Sequence, residues 1–180
     1  MKTIVYGGSF NPPTIAHEFI INYFKQKNYN LLVVPVGDQY NKAGLISVEN
    51  RSDMLELIHD KVLRKPKYVC SSGTYELLEK LMEEGYKDLW YVIGADNLIE
   101  LDTWKNYKDL ISKYNFIVFK REGYDAEKII NEKYPEYKNH FEIIDLDIKV
   151  SATEFRKTKN KNLVPKLVYD YIKKNNLYGI

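Results

Sequence analysis

Three apolar runs in this chain are continuous instead of alternating: residues 31–36 (LLVVPV), 89–93 (LWYVI) and 115–119 (NFIVF). A strand built from such a run has no face to give to water, so it must be covered on both sides. Helical patterns separate the runs. Ile15, Phe19, Ile20, Tyr23 and Phe24 precede the first, Met54, Leu57 and Ile58 and then Leu77, Leu78 and Leu81 follow it, and residues 104–114 lie between the second and third. Residues 2–6 and 141–148 read as further strands, and residues 68–71 as a short one. Buried strands alternating with amphipathic helices leave few architectures open, because a parallel strand needs a crossover that returns over the sheet. The expected fold is α/β, one doubly wound sheet of mostly parallel strands with helices on both faces. At 180 residues the chain suits a single domain over 1–180 with one sizeable core.

In sheets of this kind ligands collect beyond the carboxyl ends of the strands, so the residues just after each strand carry the chemical information. Segments at Gly8, Lys42, Asp96, Lys120 and Ser151 all stand there, which points to one shared site. The first is the most telling. After strand 2–6 come Gly7, Gly8, Ser9, Phe10, Asn11, Pro12 and Pro13, and a helical pattern begins near Thr14. Two glycines free the backbone to turn, two prolines fix the exit, and the bare N–H groups of the helix start suit a phosphate. Thr14 and His17 fall three residues apart on one helical face, so a hydroxyl and an imidazole can converge on that anion. A Gly-Gly turn with a structural histidine fits the same residues.

A second corner follows strand 141–148. Ser151 and Thr153 offer hydroxyls beside free N–H groups, and Arg156 adds a planar cationic fork matched to phosphate oxygens. A plain Ser N-cap with a solvated Arg is the alternative there.

Composition narrows the function classes. With 27 basic and 25 acidic residues the net charge is +2, too small for a field that recruits nucleic acid or anionic lipid. The single cysteine, Cys70, excludes an internal disulfide framework and fits a reducing, cytoplasmic location. It is expected as a small buried thiol on strand 68–71. No apolar run is long enough to span a membrane, and no signal-type segment opens the sequence. Metal-ligand spacings of Cys and His, a P-loop and a GxGxxG are all missing, so no protein-held metal is expected. His59, at the end of a helix beside Asp60 and Lys61, reads as a surface residue. His140 precedes a strand and carries no further signal.

On the segments around His17 and Arg156 the chain resembles the Rossmann-like nucleotidyltransferases with an HxGH signature and a C-terminal SSTxxR-type signature. Within them it is most similar to the bacterial nicotinate-mononucleotide adenylyltransferases. The likeness covers nearly the whole chain: Lys42, Ser47 to Arg51, Thr74, the run from Tyr91 to Asp96, Trp104, Lys120 with Arg121, and the C-terminal residues Leu163, Val164, Pro165, Val168, Tyr171 and Ile172. It departs at Thr14, where the first His of HxGH would stand, at Ala16 for Gly, at Ala152 for Ser, and at Asn41 for a His.

What the resemblance implies is direct transfer of AMP from ATP to the 5′-phosphate of nicotinate mononucleotide, with Mg²⁺ accompanying the ATP. His17 would meet the α-phosphate, Gly8, Ser9 and Phe10 would supply backbone donors, and Thr14 a hydroxyl. Lys42 would reach the phosphates from another side. Ser151, Thr153 and Arg156 would hold pyrophosphate, and Lys120 and Arg121 would belong to the ATP subsite. Thr74 and Trp104 would hold the pyridine, and Asp96 a ribose or the metal's water shell. The closest alternative is transfer to pantetheine phosphate, which Thr14 favours. A non-catalytic nucleotide-binding module is the second. A fragment of a class I aminoacyl-tRNA synthetase is disfavoured, because nothing in the charge pattern suits tRNA.

Overall fold

The computed structural model describes residues 1–40, 43–147 and 149–180. Five strands form one sheet: β1 (Thr3–Gly8), β2 (Asn30–Pro35), β3 (Leu89–Gly94), β4 (Asn115–Lys120) and β5 (Phe141–Asp147), in the order β2-β1-β3-β4-β5. Parallel registers run from Thr3↔Leu89 through Trp90↔Asn115 to Phe116↔Phe141. Among the described residues eight α-helices accompany them: α1 (Ile15–Gln26), α2 (Val48–Glu56), α3 (Pro66–Val69), α4 (Thr74–Glu83), α5 (Tyr107–Lys113), α6 (Ala126–Lys133), α7 (Ala152–Thr158) and α8 (Lys166–Lys174). The chain winds one way from β1 to β2 and the other way from β3 to β5. The carboxyl end of β1 therefore lies where the winding reverses. This is the expected Rossmann-like α/β sheet.

The continuous apolar runs are explained by burial on both faces. Ile4 and Val5 in β1, Leu31, Leu32, Val33 and Val34 in β2, and Phe116, Ile117 and Val118 in β4 are all buried. Each such side chain contributes about 1.5–3 kcal/mol, which outweighs the modest helix preferences of Leu.

Two compact units divide the chain. One comprises Met1–Tyr6 and Ser71–Lys149, the other Gly7–Cys70 and Val150–Ile180. The first holds β3, β4 and β5 with α4, α5 and α6. The second holds β2 with α1, α2, α3, α7 and α8, and its own apolar cluster of Met54, Phe155, Val164, Val168 and Ile172. Strand β1 contributes residues to both.

Four local expectations are corrected. Residues 68–71 are not a strand: Pro66 sits at the first turn of α3, where its fixed φ is preset for a helix and no N–H is needed. Successive residues then rotate by about 100°, so Tyr68 and Val69 turn inward while Cys70 is exposed. Helix 104–114 starts only at Tyr107, after Asn106 in the left-handed region (φ 58°), and Trp104 is extended (φ −69°, ψ 147°). His59 is buried, not on the surface. Helix α2 ends at Glu56 and the chain turns through Leu57 and Ile58, which brings the imidazole Nε2 to 2.9 Å from the Leu31 carbonyl. Lys42 lies outside the described residues. Among the described residues no helix is long and apolar enough to cross a membrane.

Candidate active site

At the end of β1 the chain passes Gly7 and Gly8, takes Phe10 into a positive φ of 48°, and enters α1 with Thr14 as N-cap. The Phe10 ring is buried and meets the His17 ring edge-on, with centroids 4.9 Å apart. A Cβ at Gly8 would lie 3.4 Å from that ring, so glycine leaves Phe10 its place.

His17 is held more closely than its sequence spacing alone suggests. The Thr14 backbone N–H donates to His17 Nδ1 at 2.8 Å, and the Thr14 hydroxyl lies 3.1 Å from the same nitrogen. Because an N–H can only donate, Nδ1 is the acceptor, and the neutral ring carries its proton on Nε2. Here His takes the place that Glu or Gln fills in a capping box. Thr14 is fully buried, and its hydroxyl also accepts from the His17 N–H at 3.5 Å. In this structure the Thr14 hydroxyl faces inward, toward His17. An N-cap's extended backbone aims its side chain back at the first helical turn. Thr14 thus sets the tautomer of His17.

Behind the corner Arg51, on α2, is completely buried. Its guanidinium donates to the carbonyls of Val36 (2.6 Å), Ile46 (2.8 Å) and Ser9 (2.9 Å), and pairs with Asp38 at 3.1 Å. Burial pulls its pKa down, while the Asp38 hydrogen bond and charge pull it back up. One side chain so fixes the loop after β1, the end of β2 and the approach to α2. Asn11 is a second hub: its Nδ2 donates to Gly44 O (2.8 Å), and its Oδ1 accepts from Tyr178 (2.6 Å) and from the Ile46 N–H (3.4 Å).

The two sequence corners meet within this unit. Arg156 Nη1 donates to the Asn11 carbonyl at 2.7 Å, across 145 residues of chain, and its Nη2 donates to Thr153 Oγ1 at 3.2 Å. Ser151 caps α7 by accepting from the Glu154 N–H (3.1 Å), so its hydroxyl has the plain capping task. Gly8, Ser9, Phe10, His17, Thr153 and Arg156 are therefore gathered on one unit, with Arg51 beneath them.

Thr74, Asp96, Trp104, Lys120 and Arg121 belong to the other unit. Asp96 follows β3, and its Oδ1 is buried, 3.6 Å from Arg121 Nε. A Cβ on Gly94 would fall 2.5 Å from that oxygen and 2.9 Å from the Phe119 ring, so only glycine lets the carboxylate fold back there. Lys120 pairs with Asp145 at 3.2 Å on the surface. Thr74 is the first residue of α4, whose N-cap is Gly73 at φ 119° and offers no side chain. Ser72 donates from both its N–H and its hydroxyl to Glu76 (2.7 Å each), and with Lys80 these bonds hold the Glu76 carboxyl down to about 2. Lys105 donates to Ser72 Oγ at 2.8 Å, which ties the segment beside Trp104 to the start of α4. Trp104 is half-buried with Tyr91 at its edge, so it is not a core-filling residue. Among the described residues no three His, Cys, Asp or Glu side chains converge as a metal cage.

A cytidylyltransferase-like family model matches residues 5–158. Over 97% of this chain and 96% of its own length, the "Probable nicotinate-nucleotide adenylyltransferase" of Acholeplasma laidlawii is 38% identical. That of Clostridium acetobutylicum is 37% identical over 98% of both. The chain belongs to the nicotinate-nucleotide adenylyltransferase family. Its fold also matches the solved Plasmodium falciparum nicotinic acid mononucleotide adenylyltransferase complexed with NaAD. The TM-score is 0.78, with 25% identity over 99% of this chain and 98% of that one.

Two parts of this adenylyltransferase's corner escaped sequence reasoning as site residues. Arg51 carried a signal: it lies one turn before Met54 and Leu55 on the apolar face of α2, and a charge at such a position must find partners. Asn11 carried none, since an Asn before Pro is ordinary turn chemistry.

Proposed function

We propose that the unit bearing His17 and Arg156 holds the triphosphate of ATP while AMP passes to nicotinate mononucleotide, and that each signature residue has a distinct role there. The reaction is the adenylyl transfer of NAD biosynthesis, giving nicotinate adenine dinucleotide and pyrophosphate. A 5′-phosphate oxygen of the mononucleotide attacks the α-phosphorus, a new P–O bond forms, and the bond from that phosphorus to the β-phosphate bridging oxygen breaks. Attacking and leaving groups are already ionised, so no proton transfer is needed. The protein's task is alignment and charge stabilisation.

His17 donates its Nε2–H to a non-bridging α-phosphate oxygen as negative charge builds there. The loop of Gly8, Ser9 and Phe10 offers backbone N–H groups, and Thr14 positions the imidazole. Arg156 and Thr153 receive the departing pyrophosphate, with Ser151 shaping the start of α7, and Lys42 adds a further cation to the phosphates. On the other unit Thr74 and Trp104 take the pyridine ring and Asp96 a ribose hydroxyl, while Lys120 and Arg121 serve the ATP end. Mg²⁺ arrives as the MgATP substrate, held by phosphate oxygens and water, in keeping with a corner rich in donors and poor in carboxylates. The chemistry suits the cytoplasm, where ATP is at hand.

The observation that supports this reading is the 2.7 Å bond from Arg156 to the Asn11 carbonyl, which joins the two signature segments within one unit. Pyrophosphate release from MgATP, measured with nicotinate mononucleotide, nicotinamide mononucleotide and pantetheine phosphate, tests it. The first should show the highest kcat/KM; a preference for pantetheine phosphate would overturn the substrate assignment.

A further inference from the structure

The last turn of the chain, Leu177–Gly179, is bound into the phosphate corner. Asn176 and Tyr178 both stand in the left-handed region, at φ 51° and 57°. Asn adopts that conformation readily, whereas a tyrosine there needs something to hold it. Two contacts do so. The Tyr178 ring meets Phe155 edge-on at 5.9 Å, and Phe155 is the fully buried residue of α7 that directly precedes Arg156. The Tyr178 hydroxyl donates to Asn11 Oδ1 at 2.6 Å.

Asn11 is buried, and its carbonyl is the acceptor for Arg156 Nη1. Tyr178 therefore grips both sides of Arg156: the helix it projects from and the loop residue its guanidinium leans on. Burial pushes the phenol pKa up, and the nearby Arg156 and Arg51 charges only partly offset that, so the hydroxyl keeps its proton and remains a donor.

We propose that Tyr178 is a positioning residue of the phosphate corner, whose hydroxyl fixes Asn11 and, through the Asn11 carbonyl, holds the Arg156 guanidinium in place for the leaving pyrophosphate. This rests on the role given above to Arg156. The fixed geometry explains why the polypeptide folds its last residues back over the corner in an uncommon backbone conformation. With the tether intact, Arg156 meets the pyrophosphate already oriented; without it, the guanidinium must be ordered at the moment of reaction.

The test is Tyr178→Phe in the full chain, which keeps the ring on Phe155 and removes only the hydroxyl. Turnover of MgATP with nicotinate mononucleotide should fall about tenfold in kcat, the scale of one buried hydrogen bond, with KM for the mononucleotide unchanged within about twofold. Affinity for inorganic pyrophosphate, measured by calorimetry, should fall by roughly five- to tenfold. In an Arg156→Ala background, adding Tyr178→Phe should change kcat by less than about twofold, because the residue it positions is gone. An equal loss of kcat in both backgrounds would make Tyr178 a merely structural residue and overturn the proposal. So would unchanged kcat and pyrophosphate affinity in the single variant. Should the parent chain fail to use nicotinate mononucleotide, the substrate assignment falls, and the pyrophosphate comparison still decides the tether.

Discussion

His17 performs two jobs with two ring nitrogens, and three substitutions separate them. Nδ1 accepts from the Thr14 N–H at 2.8 Å and closes the cap of α1, while Nε2 carries the proton that the proposed function offers to the α-phosphate. His17→Ala removes both. Losing the cap costs about 1 kcal/mol, and losing the edge contact with Phe10 about another 0.5–1.5 kcal/mol. At roughly 2–4 °C per kcal/mol for a chain of this size, the melting temperature should drop by about 3–10 °C. Turnover should fall roughly 10²- to 10³-fold, the effect of removing one preorganised donor. His17→Asn places an amide oxygen where Nδ1 stood, so it should keep the cap and melt within about 2 °C of the parent, yet be as inactive as the alanine variant. His17→Gln supplies the side chain that ordinarily fills this place in a capping box, and its amide N–H can also reach toward the Nε2 position, so it should melt near the parent and recover part of kcat. Circular-dichroism melts and a steady-state pyrophosphate assay, with ATP affinity by calorimetry, read all three. Turnover of His17→Asn within a few-fold of the parent would refute the assignment of Nε2 as donor.

Arg51→Met should be among the most destabilising single changes, because three carbonyls and Asp38 lose their shared donor, a fully buried guanidinium. A loss of about 3–5 kcal/mol is expected in urea unfolding, with Arg51→Lys recovering only part, since an ammonium cannot span the same fork; a loss under about 1 kcal/mol would contradict this. Burial holds the His59 imidazolium pKa below its ordinary 6.5, with the Leu31 carbonyl and Asp60 only partly offsetting it. The unfolded chain then takes up the proton first, so stability is full above the ordinary value and declines as pH falls through it, by up to about 1.4 kcal/mol per pH unit. His59→Gln, which can still donate to Leu31, should flatten that slope in unfolding curves recorded from pH 8 to 5.

The architecture was legible in the one-dimensional pattern, because burial on both faces of a parallel sheet writes itself into consecutive residues. Runs 31–36, 89–93 and 115–119 became β2, β3 and β4, and the corners expected after strands 2–6 and 141–148 follow β1 and β5. Where short-range rules compete, the pattern misled. Residues 68–71 have strand-like side chains, but Pro66 starts a turn of helix that turns Cys70 out. Residues 104–114 have a helical period, but Asn106 in the left-handed region delays the helix to Tyr107. Contacts between distant segments leave no local trace at all. That the corners bearing Asn11 and Arg156 share a site followed from their places after strands, but the bonds of Arg156 and Tyr178 to Asn11, across 145 and 167 residues, could not be read from the neighbours of any of them. The same holds for a ring nitrogen. The expectation that His17 faces a phosphate came from its place after a strand, whereas which nitrogen bears the proton depends on where the Thr14 N–H points. Side-chain type and spacing set what chemistry a corner can offer; only the folded backbone, by deciding which donor faces which acceptor, sets the state in which it is offered.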